Sequence, residues 1–225
     1  LFVNLSGGLE ASSTIKGEFF YPAADVAWNF SKTLVQSDVL SFGKLRAAWG
    51  KVGVQPRAHA FQTLAEGGFT YSTYSDVQDI ALWGGGFRID NNQGNPDLKP
   101  EIKTEFEIGA DLRFFDDKLS YSVTYYQNEI TGILLDVDLS PSSGFSTKYG
   151  NFGAMENKGL EMDMNWSVLK KKDMTFDVFF NYARNRNLVT DLKGTESIDL
   201  TGQSVSSRAV VGHPLGVLWG TGSQM

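Results

Sequence analysis

Strict alternation of polar and apolar residues in two long stretches constrains the fold of this chain more than any other feature. Between Lys103 and Phe115 almost every second residue is apolar, and the alternation resumes after a short turn at 116–118. The same design returns between Leu160 and Tyr182, around a lysine-rich turn at 170–173. Because successive side chains of a strand point to opposite faces, each stretch predicts a long hairpin with one apolar and one charged face.

The two predicted faces differ in the medium that they suit. The apolar face is typical of a strand wall that contacts lipid, while the charged face suits a water-filled lumen. The predicted lipid-facing residues are Phe106, Ile108, Leu112, Phe114, Met162, Trp166, Phe176 and Phe180. The predicted lumen-facing residues are Glu105, Glu107, Asp111, Arg113, Glu161, Asp163 and Asp177.

The connections support the same fold class, an all-β, antiparallel up-and-down transmembrane barrel wall. About eight extended segments can be traced, near 1–11, 19–31, 42–50 and 205–211 in addition to the four hairpin strands. Short turns alternate with long connections, predicted at 51–101, 131–156 and 189–204, so that the long loops share one side, as in outer-membrane barrels. Five or six same-face positions at a tilt of roughly 40° span about 25 Å, the height of a lipid-facing band.

Charge and composition exclude several other classes of protein. The net charge of −6 disfavours a nucleic-acid binder, and no run approaches the ~18 apolar residues of a membrane helix. Neither histidine, His59 or His213, has a partner at the spacing of a catalytic triad or a metal site, so no enzyme is predicted. The first residue is Leu1 rather than methionine and already lies in a strand pattern, and residues 221–225 carry no terminating element, which predicts an internal piece of a longer protein.

Cofactor binding is not predicted, although one loop leaves an alternative open. The polar run Asp90–Asn95 is rich in oxygen ligands, but it lacks the order of an EF-hand, which places glycine at the sixth position. An irregular calcium site remains the alternative there. The glycine run 84–86 is interpreted as loop rather than as an anion-binding nest.

The long connection 51–101 is the best candidate for ligand contact. It carries a set of rings suited to an oligosaccharide or peptide, namely Phe61, Phe69, Tyr71, Tyr74, Trp83 and Phe87. The alternative is that these rings pack the loop on itself or against a lid protein, because aromatic residues are also enriched at protein interfaces.

Several motifs resemble those of the SusC/RagA group of TonB-linked outer-membrane transporters. The most specific is the run 95–101, Asn-Pro-Asp-Leu-Lys-Pro-Glu, followed by the strand pattern of 103–109. Others occur in the family's order, at 20–22 with Trp28, 44–53, 157–161 and 212–216.

The resemblance implies that the complete transporter is larger than this chain. It makes residues 1–225 a partial barrel domain, from a barrel of about 22 strands whose plug domain is absent here. It implies contact between the charged face and that plug, with TonB acting through the missing N-terminal part and a SusD-like surface lipoprotein as partner. The implied cargo is a glycan or an oligopeptide. A passive porin or adhesin barrel and a soluble carbohydrate-binding β-sandwich are the alternatives.

Overall fold

The computed structural model describes residues 1–15, 17–33, 39–67, 87–193, 195–201 and 206–219. Its strands are β1 (Phe2–Ala11), β2 (Glu18–Trp28), β3 (Leu40–Val54), β4 (Ala65–Gly67), β5 (Phe87–Ile89), β6 (Asn92–Gln93), β7 (Glu101–Phe114), β8 (Leu119–Asp138), β9 (Thr147–Lys171), β10 (Met174–Asp191), β11 (Ser197–Thr201), β12 (Ser206–Val210) and β13 (Val217–Trp219). Single 3-10 turns occur at Phe30–Lys32 and Pro141–Ser143. Among the described residues, no helix has the length and apolar character needed to cross a membrane.

The main sheet confirms the predicted meander. Its strands run in the order β1-β2-β3-β7-β8-β9-β10, and every long strand is antiparallel to its neighbours. The short strand β6 joins β9 in parallel, while β4–β5 and β11–β13 form two small separate sheets. The architecture is therefore an antiparallel up-and-down β-barrel wall, which is not closed on itself within the described residues.

Three predicted segments were wrong. Only the middle of 131–156 is a loop, because β8 continues to Asp138 and β9 already begins at Thr147. The alternation breaks at Gly132, which has a φ of 65° and lies where the register shifts, so periodicity ends although the strand continues. The last segment near 205–211 does not belong to the wall, since β12 pairs with β11 and β13. The predicted polar loop 189–204 likewise contains β11.

The register separates the wall into an apolar face and a polar face. Every predicted lipid-facing residue lies on the apolar face and every predicted lumen-facing residue on the polar face. Large side chains of the apolar face stay exposed, with Phe106 at 44% and Ile108 at 49%. The main buried apolar cluster is small and lies elsewhere, at Val189, Leu192 and Ala209. No second sheet covers the apolar face among the described residues, so the sandwich alternative is wrong for this part of the chain.

The apolar face carries what we call the apolar band, three to five consecutive apolar positions on each of the six strands β2, β3, β7, β8, β9 and β10. Its members are Phe20, Pro22, Ala24, Val26 and Trp28 on β2; Leu45, Ala47 and Trp49 on β3; Phe106, Ile108, Ala110, Leu112 and Phe114 on β7; Leu119, Tyr121, Val123 and Tyr125 on β8; Leu160, Met162, Met164 and Trp166 on β9; and Phe176, Val178, Phe180 and Tyr182 on β10.

This band crosses the strands obliquely. One row of register partners runs across six strands as Ala24, Trp49, Phe106, Gln127, Lys158 and Arg186. On the side of the long connection, which we call the upper side, the band ends two same-face positions above this row on β2, at Phe20. On β10 it ends two positions below the row, at Tyr182.

The slope of the band can be compared with the tilt of strands in membrane barrels. Four same-face positions cover about 27 Å along a strand, and five interstrand steps cover about 24 Å. The band is therefore inclined by about 45–50° to the rows, close to the ~35–45° tilt of strands in transmembrane barrels. A belt of constant height around a barrel axis has this geometry when the strands are tilted.

Candidate functional site

The polar face is the candidate site, and its best-connected group is Asp111 on β7. The Lys44 ammonium lies 3.0 Å from one carboxylate oxygen, and the Ser122 hydroxyl donates to the other at 2.9 Å. The Arg46 guanidinium lies 3.7 Å from the same carboxylate and also donates to Thr124 Oγ1 at 2.5 Å. This network ties β3, β7 and β8 together, because each partner comes from a neighbouring strand.

Gly109 makes room for that network. A Cβ atom on Gly109 would lie 2.8 Å from Arg46 Cζ and 2.9 Å from the carbonyl oxygen of Val123. The guanidinium therefore passes close to the backbone of β7 at Gly109 and reaches Thr124 on β8. The close approach by a side chain is the reason for a glycine inside this strand.

A second group, centred on Asn128, crosses the sheet one strand further along. Asn128 is 7% exposed, and its amide nitrogen donates to Glu105 Oε2 at 3.2 Å. Its amide oxygen accepts from Asn157 at 2.8 Å, while Lys103 pairs with Glu105 on the same strand. The ladder from β7 to β9 satisfies the polar groups of a nearly buried asparagine, as a buried amide requires.

Between these two groups the polar face forms an acidic groove of about 340 Å³. Glu107 and Glu161 line it, together with Lys103, Glu105, Thr124, Tyr126, Asn128, Asn157 and Asn185. In the described part of the chain, neither Glu107 nor Glu161 forms an ion pair. The groove therefore presents negative charge that its own walls do not neutralise.

The remaining predicted charges lie closer to the lower turns and are not part of the groove. Asp163 accepts a hydrogen bond from the Asn181 amide, and Asp177 accepts from Ser167 Oγ at 2.6 Å. Arg113 lies 3.9 Å from Asp117 and stacks over the Phe42 ring at 5.3 Å.

The candidate ligand rings are only partly covered by the described residues. Phe61 borders a small cavity of about 160 Å³ together with Ile15, Pro96 and Leu98, so its ring packs the connection against the β1–β2 turn. The other five candidates are not described at the side-chain level: Phe69, Tyr71, Tyr74 and Trp83 lie outside the described residues, and Phe87 is described only as backbone of β5. Ligand contact by these rings stays a prediction.

The specific motif at 95–101 is held by two asparagines. Asn95 is nearly buried; its amide donates to the Tyr149 carbonyl at 3.1 Å, and its oxygen accepts from the Asp97 amide. Asn151 accepts from the Lys99 amide at 3.0 Å and donates to the Lys99 carbonyl at 2.8 Å. Asn151 also donates to the Gly132 carbonyl at 2.8 Å, so it joins the motif to the bulge in β8.

Five members of these networks were not predicted from the sequence, namely Lys44, Arg46, Asn128, Asn157 and Asn151. The first four were recognisable as polar-face positions from strand alternation alone. Asn151 was not, because it lies beyond the break at Gly132, where alternation no longer assigns a face.

The candidate calcium loop at 90–95 receives no support as a metal site from the described residues. Asp90 uses its carboxylate to accept from the backbone and side chain of Asn92, as in an Asx turn. No cluster of three or more His, Cys, Asp or Glu side chains suited to a metal occurs in the ranges that the structure describes. The absence of a cofactor stays a prediction.

Comparisons with known proteins agree on one family. The family model described as TonB dependent receptor-like, beta-barrel, matches residues 3–222. TonB-dependent receptor P3 of Formosa agariphila is 31% identical over 77% of this chain and 17% of its own length. TonB-dependent receptor SusC of Bacteroides thetaiotaomicron is 26% identical over 80% of this chain and 18% of its own length.

A solved structure shows the same fold. The RagAB peptide importer in its closed-closed state superimposes with a TM-score of 0.79 at 23% identity, covering 95% of this chain and 23% of that one. The chain therefore spans about a fifth of the length of the relatives that it matches.

Proposed function

Because the chain belongs to the family of TonB-dependent receptor-like β-barrels, we propose that it forms part of the wall of a TonB-driven importer in the outer membrane. In this proposal the apolar face contacts lipid and the polar face lines the lumen. The observation that carries it is the oblique apolar band, whose slope matches the tilt of strands in a membrane. A soluble protein has no reason to keep an exposed apolar belt at constant height across six strands.

The acidic groove suits contact with a plug domain. Glu107 and Glu161 carry charge that the described wall does not pair, and a lumen filled by a plug offers cations from another part of the protein. Charge complementarity fixes register and orientation between docked surfaces. We therefore assign Glu105, Glu107, Asp111, Arg113, Glu161, Asp163 and Asp177 to the surface that faces the lumen and the plug.

The cargo of the whole protein is proposed to be an oligopeptide or a glycan too large for passive pores. The similarity in fold to a peptide importer favours a peptide. A SusD-like surface lipoprotein is the proposed partner, and it would cover the upper side, where the connection 55–100 and the segment after β10 emerge. Phe61, Phe69, Tyr71, Tyr74, Trp83 and Phe87 are the proposed contacts for ligand or lid.

Uptake by whole cells tests this proposal. The parent gene is deleted, and entry of a fluorescent oligopeptide and of a fluorescent oligosaccharide is measured with and without functional TonB. We expect the deletion to abolish entry of one of the two probes, and the loss of TonB to have the same effect. Entry that needs the parent gene but continues without TonB would instead identify a passive porin.

A further inference from the structure

Three cations lie together on the apolar face, immediately above the apolar band. They are Lys158 on β9 and Arg184 and Arg186 on β10, and all three are exposed. Lys158 is the register partner of Arg186, and Arg184 pairs with Leu160, the last band residue on β9. The three side chains therefore occupy one small patch that spans two strands.

Only one charge of this patch, that of Lys158, is balanced by a neighbouring side chain in the described residues. Lys158 lies 2.9 Å from Glu156, which is its only ion-pair partner among the described residues. Neither arginine forms an ion pair or a side-chain hydrogen bond within the part of the chain that is described. The other nearby acid is Glu129 on β8. It is the register partner of Glu156 and lies on the side of β9 away from the arginines.

Two cations in directly opposed positions need an explanation. Side chains opposite each other on neighbouring antiparallel strands have Cβ atoms about 5 Å apart, and like charges there destabilise the sheet. An anion placed between Lys158 and Arg186 converts this repulsion into attraction. A phosphate suits the position, because a guanidinium presents a fork of donors that matches phosphate oxygens.

The depth of the patch identifies where such a phosphate comes from. Arg184 is the first position above the band on β10, directly after Tyr182, and Lys158 holds the same place on β9, after Leu160. In a membrane wall this level is the boundary between hydrocarbon and headgroups. Long basic side chains at this level place their charge among headgroups while their stems cover hydrocarbon.

We propose that Lys158, Arg184 and Arg186 form a binding site for the phosphate of an anionic lipid headgroup, in the leaflet on the upper side of the wall. The two arginines hold the phosphate oxygens, and Lys158 completes the site while it also pairs with Glu156. The proposal rests on the proposed function, because it requires the apolar face to contact lipid.

Native mass spectrometry of the full-length parent protein tests the site. The protein is released from detergent micelles that contain either phosphatidylglycerol or a diacylglycerol without phosphate. We expect the wild type to retain phosphatidylglycerol, and R184Q/R186Q to bind it about thirty-fold more weakly, from the loss of two basic contacts at a membrane surface. Glu156→Gln should strengthen binding, since it releases Lys158 from its competing carboxylate.

Lys51→Gln is the matched control. Lys51 is also the first apolar-face position above the band, on β3, but Thr104 is its register partner and the three cations lie on other strands. Its replacement should leave retention within about twofold of the wild type. Inorganic phosphate at equal concentration should not compete, since binding also requires the acyl chains.

The outcomes separate the two proposals. Equal retention of phosphatidylglycerol by wild type and a folded R184Q/R186Q, judged by the heat-dependent gel mobility of the barrel, overturns the lipid site alone. Failure of the wild type to retain either lipid, together with solubility without detergent, overturns the membrane wall itself. Displacement by inorganic phosphate would mean a site for a free anion and would also overturn the assignment to a lipid.

Discussion

The apolar band and the region above it are parts of the same strands, yet they are specified in different ways. Through the band and slightly beyond it, the β7–β8 register runs without a shift from Phe114–Leu119 to Ile102–Thr131. Above it, the β8–β9 register shifts twice within three residues, and side chains bond directly to backbone groups. The band is specified by the regular alternation of apolar and polar residues, whereas the upper region depends on a few individual polar contacts.

The upper region replaces periodicity with specific bonds. Asn151 pairs with both backbone groups of Lys99, as a neighbouring strand would do. Glu101 accepts from the Leu134 amide at 3.2 Å, and Arg57 lies 2.7 Å from Asp136 and 4.0 Å above the Tyr149 ring. The effect of a substitution in the band should therefore depend on the face that the residue occupies. The effect of a substitution above the band should depend on the bonds that it removes.

The largest effect is expected from a charge on the apolar face. Ile108→Arg in the full-length protein should lower the free energy of unfolding by ~2–4 kcal/mol, the cost of an arginine near the middle of a membrane. Asn165→Arg, which places the same side chain on the polar face of β9 at an exposed position, is the control and should change stability by less than about 0.5 kcal/mol. Denaturant unfolding in lipid vesicles measures both. If Ile108→Arg is harmless while Asn165→Arg is damaging, the two faces are inverted.

An intermediate effect is expected above the band. Asn151→Leu leaves the amide and carbonyl of Lys99 and the carbonyl of Gly132 without their partner, at a cost of about 1–3 kcal/mol. Hydrogen exchange should accelerate at the Lys99 amide but not at that of Phe106. Asn165→Leu, on the same strand, removes an exposed side chain that forms no hydrogen bond among the described residues, and should change neither rate. If the Lys99 amide exchanges at the same rate in Asn151→Leu and in the wild type, the motif at 95–101 does not depend on the bonds from Asn151.

The smallest effect is expected from the half-exposed ion pairs of the polar face. Lys44→Gln removes the contact with Asp111 and should lower the free energy of unfolding by about 0.2–1 kcal/mol. The difference from wild type should shrink at about 1 M salt, where the Debye length is about 3 Å. Stability at low and high salt measures it, and Lys51→Gln, which removes a lysine from the other face of β3, should show no such salt dependence. A loss that is independent of salt would indicate packing by the Lys44 stem rather than charge.

The sequence was sufficient to predict the strands of the wall within the band, but not their continuation at the upper edge. Alternation from Lys103 to Tyr125 predicted both strands and which residues share a face, because successive side chains of a strand point to opposite faces. The predicted strand ended at Ile130, because alternation is lost where Gly132 adopts a left-handed conformation and inserts an unpaired residue. Bulges follow from local geometry, which leaves little trace in the pattern of apolar residues.

The residues of the candidate site were predictable from the sequence, but the ion pairs between them were not. Strand parity placed Glu107, Asp111 and Glu161 on one face. It did not reveal that Asp111 is paired while Glu107 is not, because that depends on which residues of β3 lie opposite. The partner of Asp111, Lys44, is 67 positions away in the chain, and only the register brings them together.

The places where the register slips have a consequence for how this wall can change in length. In the main sheet every slip lies at the lower margin, near Leu40 and Phe176, or beyond the upper one, near Gly132 and Val189. A single inserted residue between those margins would turn every later side chain over, exchanging the apolar and polar faces along the rest of the strand. Two inserted residues would keep the orientation and only slide the strand by one step. Relatives of this chain should therefore differ there by even numbers of residues, with odd differences confined to the rims.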